Sequence, residues 1–212
     1  MSSARTTTGP VFAIIPVGTL DGAKSRLGEV LDAEERLELT LYLARTTIGA
    51  AVASDRIAET LVVTPDDTVR GLAEELGARP IRQRGGGLNR GIEQARSEAM
   101  AAGANAILVL PIDLPDVSPT AIDDVLATLD RPRRPLVAIV TDRHGTGTNA
   151  LLVAPPDAID PSFGGNSRAS HAAAADRAGA ELVLLDSALA LDVDTPEDLL
   201  LAEGTLRAAD VH

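Results

Sequence analysis

Three aspartates close apolar runs in this chain, and their type and spacing point to a cation site. Asp113 follows Ala106-Ile107-Leu108-Val109-Leu110-Pro111-Ile112, while Asp192 and Asp194 stand two residues apart in Leu191-Asp192-Val193-Asp194-Thr195-Pro196. In an extended segment residues i and i+2 face the same way, so Asp192 and Asp194 present both carboxylates on one side. Oxygen-only donors of this kind suit a hard divalent cation, and one or two Mg²⁺ ions would bind there together with substrate phosphates. The alternative reading makes Asp194 an ordinary capping residue of the helix opened by Thr195, Pro196 and Asp198, and Asp192 a solvated group.

The cations are distributed unevenly: eighteen arginines accompany a single lysine, Lys24. A chain that uses Arg for generic positive charge retains one ammonium either for a specific task or as a survivor at the surface. Lys24 and Arg26 lie in Val17-Gly18-Thr19-Leu20-Asp21-Gly22-Ala23-Lys24-Ser25-Arg26-Leu27, a loop whose glycines and cations suit a phosphate cradle, or else a plain surface connection between strand and helix. The GxxxxGK[ST] and GxGxxG spacings are absent, which excludes a Walker loop and a dinucleotide fingerprint. A second glycine loop, Gln83 to Gly91, holds three consecutive glycines, which fit either close approach to a ligand or local mobility. Within it Asn89 reads as a helix N-cap, or as an amide placed to read a nucleobase edge.

Two further segments offer neutral donors. Gly145-Thr146-Gly147-Thr148 supplies hydroxyls and open backbone to an anion, or else forms a glycine turn between two strands. Phe163-Gly164-Gly165-Asn166-Ser167 enters a helix whose first N–H groups face whatever lies before it. His171 is one turn into that helix; it can contact an anion, although a lone helical histidine is more often a surface residue.

The elements that must position these groups alternate strand with helix. Apolar runs read as strands at Val11 to Pro16, Thr60 to Thr64, Arg79 to Arg82, Ala106 to Leu110, Pro135 to Thr141, Ala150 to Val153 and Glu181 to Leu185. Helices open at Asp32, at Asp66, after the triglycine, at Ser118-Pro119, at Ser167 and at Thr195. In the first of them Leu37, Leu41, Ala44, Ile48 and Ala51 form one apolar stripe, and Gly77 stops the second. Such alternation implies a mostly parallel sheet with helices on both faces. Ala106 to Leu110 is apolar throughout and reads as its central strand, which places Asp113 just outside a strand's carboxyl end, where open α/β sheets bind ligands.

At 212 residues one domain is expected, running from residue 10 to 207 after a disordered tail at Met1 to Gly9. One Tyr, two Phe and no Trp leave almost no aromatic platform for base stacking, and a net charge of −12 argues against nucleic acid or an anionic membrane as partner. The absence of Cys excludes thiolate chemistry and disulfides. Val11 to Val17 is too short to span a bilayer and no secretory pattern precedes it, so a cytoplasmic protein is expected.

Taken in order, AKSRL (Ala23 to Leu27), LNRGIEQA (Leu88 to Ala95), PIDLP (Pro111 to Pro115), DRHGTGTNALL (Asp142 to Leu152), FGGNS with His171, and DVDTPEDL (Asp192 to Leu199) resemble the guanylyltransferases of coenzyme F-420 biosynthesis. These act on 2-phospho-L-lactate or phosphoenolpyruvate. The resemblance implies a single-domain, Rossmann-like nucleotidyltransferase fold with a mixed, mostly parallel sheet, and GTP, Mg²⁺ (two ions) and a small phosphorylated carboxylic acid as partners. Carried over by position, Asp113, Asp192 and Asp194 are metal ligands and, with Lys24, the catalytic set. Lys24, Arg26, Leu88 and Asn89 bind the nucleotide, and Thr148, Gly164 and Ser167 bind the acid, with 3-phosphoglycerate a third candidate acid. One departure is Gly18, where members of that family often carry a second lysine. A nucleotidyltransferase of sugar phosphates or of a molybdenum cofactor, and a nucleotide-binding module without turnover, are the competing readings; monomer and homodimer are both open.

Overall fold

A computed structural model describes residues 9–130 and 135–209, with side chains through residue 206. The expected tail lies outside the described residues except for Gly9, whose position leaves no room for a Cβ beside the Asn105 side chain.

A single sheet of seven strands organises the chain, in the order β3-β2-β1-β4-β6-β5-β7. β1 (Val11–Pro16), β2 (Ile57–Thr64), β3 (Arg79–Arg82) and β4 (Ala106–Val109) run parallel, as helical crossovers between them require. β6 (Ala150–Ala154) is antiparallel to both β4 and β5 (Leu136–Val140), and β7 (Glu181–Leu185) is parallel to β5. β4 is the middle strand, as its apolar run predicts, and all four of its residues are buried. Because β5 and β7 point the same way as β4, the carboxyl ends of six strands open on one edge of the sheet. That edge gathers every glycine-rich segment and every candidate aspartate.

The helices divide between the two faces. α1 (Ala33–Ala53), α2 (Asp67–Glu75) and α4 (Pro119–Leu126) cover one face with Ala44, Ile48, Leu72 and Val125. α3 (Leu88–Ala101) and α5 (Ser167–Arg177) cover the other with Ile92, Ala95, Ala99 and Ala175. α6 (Pro196–Ala209) adds a small cluster of Leu27, Val193 and Ala202, which ties the Lys24 loop to the segment carrying Asp192 and Asp194. Asp32 caps α1 by a reciprocal box with Glu35, and Asp66 and Ser118 cap α2 and α4.

Three expectations need correction. Leu37 is exposed, because α1 buries its Thr40, Leu43, Ala44, Thr47 and Ile48 side instead. β2 begins three residues earlier than its apolar run, because Ile57 joins the register with Val11. α4, which its pattern predicts to run to about Leu129, ends at Leu126, and a tighter turn carries the chain on through Asp130. Among the described residues no helix is long and apolar enough to cross a membrane.

Candidate active site

The three aspartates converge. One carboxylate oxygen from each of Asp113, Asp192 and Asp194 lies within 4.8 Å of the other two. The backbone draws them together, since the Val193 N–H donates to the Asp113 carbonyl at 2.9 Å. Lys24 completes the cluster: its Nζ is 2.9 Å from Asp194 Oδ1 and 3.5 Å from Asp113 Oδ2, with only 9% of its side chain exposed. It reaches this position from a left-handed backbone conformation, φ 53°, which costs a residue with a Cβ ~1–2 kcal/mol. Of the two readings of the lone lysine, the surface survivor is the one this geometry disfavours. Arg26 is three-quarters exposed, and its guanidinium stands 3.8 Å from Asp194 Oδ2.

Burial pushes the Asp113 carboxyl above the usual carboxylate range; the Lys24 ammonium pulls it back, and the charge of Asp194 adds to the rise. Burial also raises Asp192, with the charge of Asp113 next, against a hydrogen bond from Asn149 that lowers it. Carboxylates held together at this cost suit a hard divalent cation, which takes oxygen donors and removes their repulsion.

Two hydrogen-bond networks fix the acidic segment. Asn149 Nδ2 donates to the carbonyls of Leu189 and Ala190 at 3.0 and 3.1 Å and reaches Asp192 Oδ1 at 3.3 Å. Asp198 Oδ2 accepts from the N–H groups of Asp194 and Thr195 and from the Thr195 hydroxyl, while Arg143 Nε donates to its Oδ1 at 2.8 Å. Thr195 and Asp198 thus form the expected N-terminal box, and Asp194 is left free to meet Lys24. Asn149 and Arg143 both belong to the β5–β6 connection that carries Thr148, so the acidic segment and that loop form one unit. Neither residue is legible as a site component in the sequence, although Asn149 directly follows Thr148.

On one side of Asp113 a cleft of about 400 Å³ opens over the carboxyl ends of β1, β2 and β3, lined by Val17, Gly18, Thr19, Gly85, Gly86, Gly87 and Leu88 among others. Gln83 Nε2 donates to the carbonyls of Gly85 and Gly87, both at 3.0 Å, and shapes this rim. Gly87 (φ 94°) is the N-cap of α3, a conformation open to glycine. Asn89 is therefore not the cap. It lies inside the first turn, where its Oδ1 accepts from Phe163 N–H at 2.8 Å and its Nδ2 donates to Phe163 O at 2.9 Å. The side chain clamps the segment leading to α5.

On the other side lie Thr148, Gly164 and Ser167. Asp142 closes the β5–β6 connection by accepting from Thr146 N–H at 2.7 Å, and Arg168 N–H donates to Thr146 O at 3.2 Å, which joins that loop to the start of α5. The segment is thus a turn between two strands, with the Thr146 N–H and hydroxyl both taken by Asp142. Gly164 has φ 135°, accessible essentially only to glycine, and its carbonyl accepts from Ser167 N–H at 3.1 Å. Thr148 and Ser167 are buried.

His171 overturns the surface expectation: it is 0% exposed. Ser167, His171 and Ala175 recur every four residues and form the buried stripe of α5, a signal present in the sequence. Burial lowers its pKa from 6.5 to about 4. Between those values the unfolded chain binds one more proton, so stability is full above about 6.5 and declines as pH falls, by roughly 3 kcal/mol in all. Unfolding free energies of wild type and His171→Gln, measured between pH ~6.5 and ~5, should diverge in slope; parallel profiles would mean that the ring is not held neutral.

Residues 11–206 match the family described as Guanylyl transferase CofC like. A relative from Rubrobacter xylanophilus, named phosphoenolpyruvate guanylyltransferase, is 43% identical over 197 residues, covering 92% of this chain and 94% of its own length. The chain belongs to this guanylyl transferase family. A Sphaerobacter thermophilus relative of the same name is 41% identical over 189 residues, covering 89% of this chain and 90% of its own. The fold extends further: a crystal structure from Desulfovibrio desulfuricans, provisionally described as a nucleotide-diphospho-sugar transferase, superposes with a TM-score of 0.74 at 17% identity, covering 95% of both chains. The family assignment and the sheet edge agree, because the segments that carry the resemblance are those gathered around Asp113.

Proposed function

We propose that this chain transfers GMP from GTP to the phosphate of a small phosphorylated acid, with phosphoenolpyruvate the first candidate, and releases pyrophosphate. The observation that carries the reading is the placement of the acidic cluster between two unlike half-sites: a glycine-rimmed cleft towards β1, β2 and β3, and neutral-donor loops towards β5, β6 and α5. Family membership and the names of the relatives support guanylyl transfer and this acid. Cytoplasmic action follows from the same reading.

In the reaction a phosphate oxygen of the acid attacks the α-phosphorus of GTP in line, and the bond to the β-phosphate oxygen breaks. The attacking oxygen is already anionic at neutral pH, so the chain needs no general base. The barrier is repulsion between two polyanions. Mg²⁺, one or two ions held by Asp113, Asp192 and Asp194, would supply charge neutralisation at the reacting phosphates. Lys24, between Asp113 and Asp194, places an ammonium at the junction of the half-sites, and exposed Arg26 is free to follow a triphosphate. Leu88 and the glycine rim, Gly18 included, accept the nucleoside side. Thr148, Gly164 and Ser167 orient the acid through its carboxylate.

Pyrophosphate release from GTP, ATP and CTP, each crossed with phosphoenolpyruvate, 2-phospho-L-lactate and 3-phosphoglycerate, tests the proposal. GTP with phosphoenolpyruvate should be the productive pair. No release from GTP with any of the three acids would sink the reading.

The acid half-site carries a prediction of its own. Loss of a neutral donor to a charged group costs about 1.5–3 kcal/mol, so Thr148→Val should raise the KM for phosphoenolpyruvate roughly tenfold or more. The KM for GTP should hardly move. Steady-state kinetics with the reverse pattern would put Thr148 on the nucleotide side.

A further inference from the structure

We propose that His171 is a positioning residue of the acid half-site: it turns the Thr148 hydroxyl proton away from the ring, and so presents that pocket with a hydrogen-bond donor for an anion. The inference rests on the reading of Thr148 as a contact to the acid. It begins with Ser162, whose backbone N–H donates to His171 Nε2 at 2.8 Å. An amide N–H has no lone pair to offer, so Nε2 must carry the ring's free lone pair. A neutral imidazole then bears its proton on Nδ1.

Nδ1 lies 3.1 Å from Thr148 Oγ1. With the tautomer fixed from the Ser162 side, this bond has one direction: Nδ1–H donates and the hydroxyl oxygen accepts. The hydroxyl proton must then point away from His171, and among the described residues Thr148 Oγ1 has no other partner. A carboxylate oxygen is the complement of such a proton.

The arrangement is insulated. His171 is 0% exposed, so water does not compete for either nitrogen. Phe163 meets the imidazole edge to face, with centroids 5.1 Å apart, and Asn89 holds Phe163 by both of its backbone groups. Thr148 itself is buried, with 6% of its surface exposed. Depression of the His171 pKa keeps the ring in the neutral form that the two bonds require.

Three substitutions separate the two nitrogens. His171→Gln can keep an acceptor near Nε2 but loses the Nδ1 donor, His171→Asn can keep a donor near Nδ1, and His171→Phe keeps only the ring. Gln and Phe should each raise the KM for phosphoenolpyruvate roughly tenfold, as Thr148→Val does, with the KM for GTP unmoved, and Asn should recover most of the loss. Thr148→Val with His171→Phe should be no worse than Thr148→Val alone. Unchanged phosphoenolpyruvate KM in the Gln and Phe variants, with only a lower Tm, makes the residue structural and overturns the proposal. So do additive losses in the double variant.

The tautomer is a readout independent of turnover. With all three histidines labelled with ¹⁵N, and His171 assigned by difference from His144 and His212 substitutions, Nδ1 should bear the proton and Nε2 should not. An Nε2–H tautomer overturns the proposal whether or not any acid reacts. If the expected tautomer appears while no acid supports pyrophosphate release, the functional reading fails and the hydroxyl's fixed direction stands.

Discussion

Asparagine in place of Asp113, Asp192 or Asp194 is expected to cut pyrophosphate release by ~10³-fold or more, since a bound divalent cation supplies several kcal/mol of charge stabilisation and about 4 kcal/mol is a thousandfold. The three variants should part company in stability. Asp192→Asn removes a charge beside Asp113 and keeps an oxygen for Asn149, so its Tm in chelator should equal or exceed that of wild type. Asp194→Asn instead takes from a lysine with 9% of its side chain exposed its 2.9 Å partner, and its Tm should fall. Kinetics at limiting Mg²⁺ and melting with EDTA measure the two effects. Near wild-type turnover at limiting Mg²⁺ would remove that aspartate from the ligand set.

The sequence carries the frame of this site because burial and direction are written in local patterns. A wholly apolar run closed by Pro111 and Asp113 defines a central strand and its ligand end, and the i, i+2 spacing of Asp192 and Asp194 defines a shared face. Side-chain partnerships across the fold are written nowhere in a local window. Lys24 meets Asp194 across 170 residues, Asn89 meets Phe163 across 74 and Thr148 meets His171 across 23. Asn89 shows how residue type misleads: Asn is a good N-cap, yet Gly87 adopts the cap conformation two residues earlier and turns the amide outward to Phe163. For His171 the signal was present, since its spacing from Ser167 and Ala175 marks the buried face of α5.

Lys24→Ala should lower kcat/KM for GTP by ~10²-fold, the order expected when a preorganised charge near a transferring phosphoryl group is lost. Its larger interest is in the protein without substrate. Lys24 Nζ bridges Asp113 and Asp194, whereas the exposed Arg26 reaches Asp194 alone, so removal of Lys24 leaves two partly buried carboxylates without a shared cation and should cost about 1–3 kcal/mol of stability. Mg²⁺ neutralises the same oxygens. Melting of Lys24→Ala should therefore respond to Mg²⁺ more strongly than melting of wild type, by a rise that regains most of the deficit. Lys24→Arg should recover stability, because a guanidinium also pairs with carboxylates, but not GTP kinetics, because a planar fork places its charge differently around a triphosphate. Lys24→Gly is the control for the backbone: relief of the left-handed φ 53° should return ~1 kcal/mol without restoring any turnover. GTP kinetics equal to wild type in Lys24→Ala, with a Tm that ignores Mg²⁺, would reduce the lysine to a tether for its loop and leave the cluster to the aspartates alone.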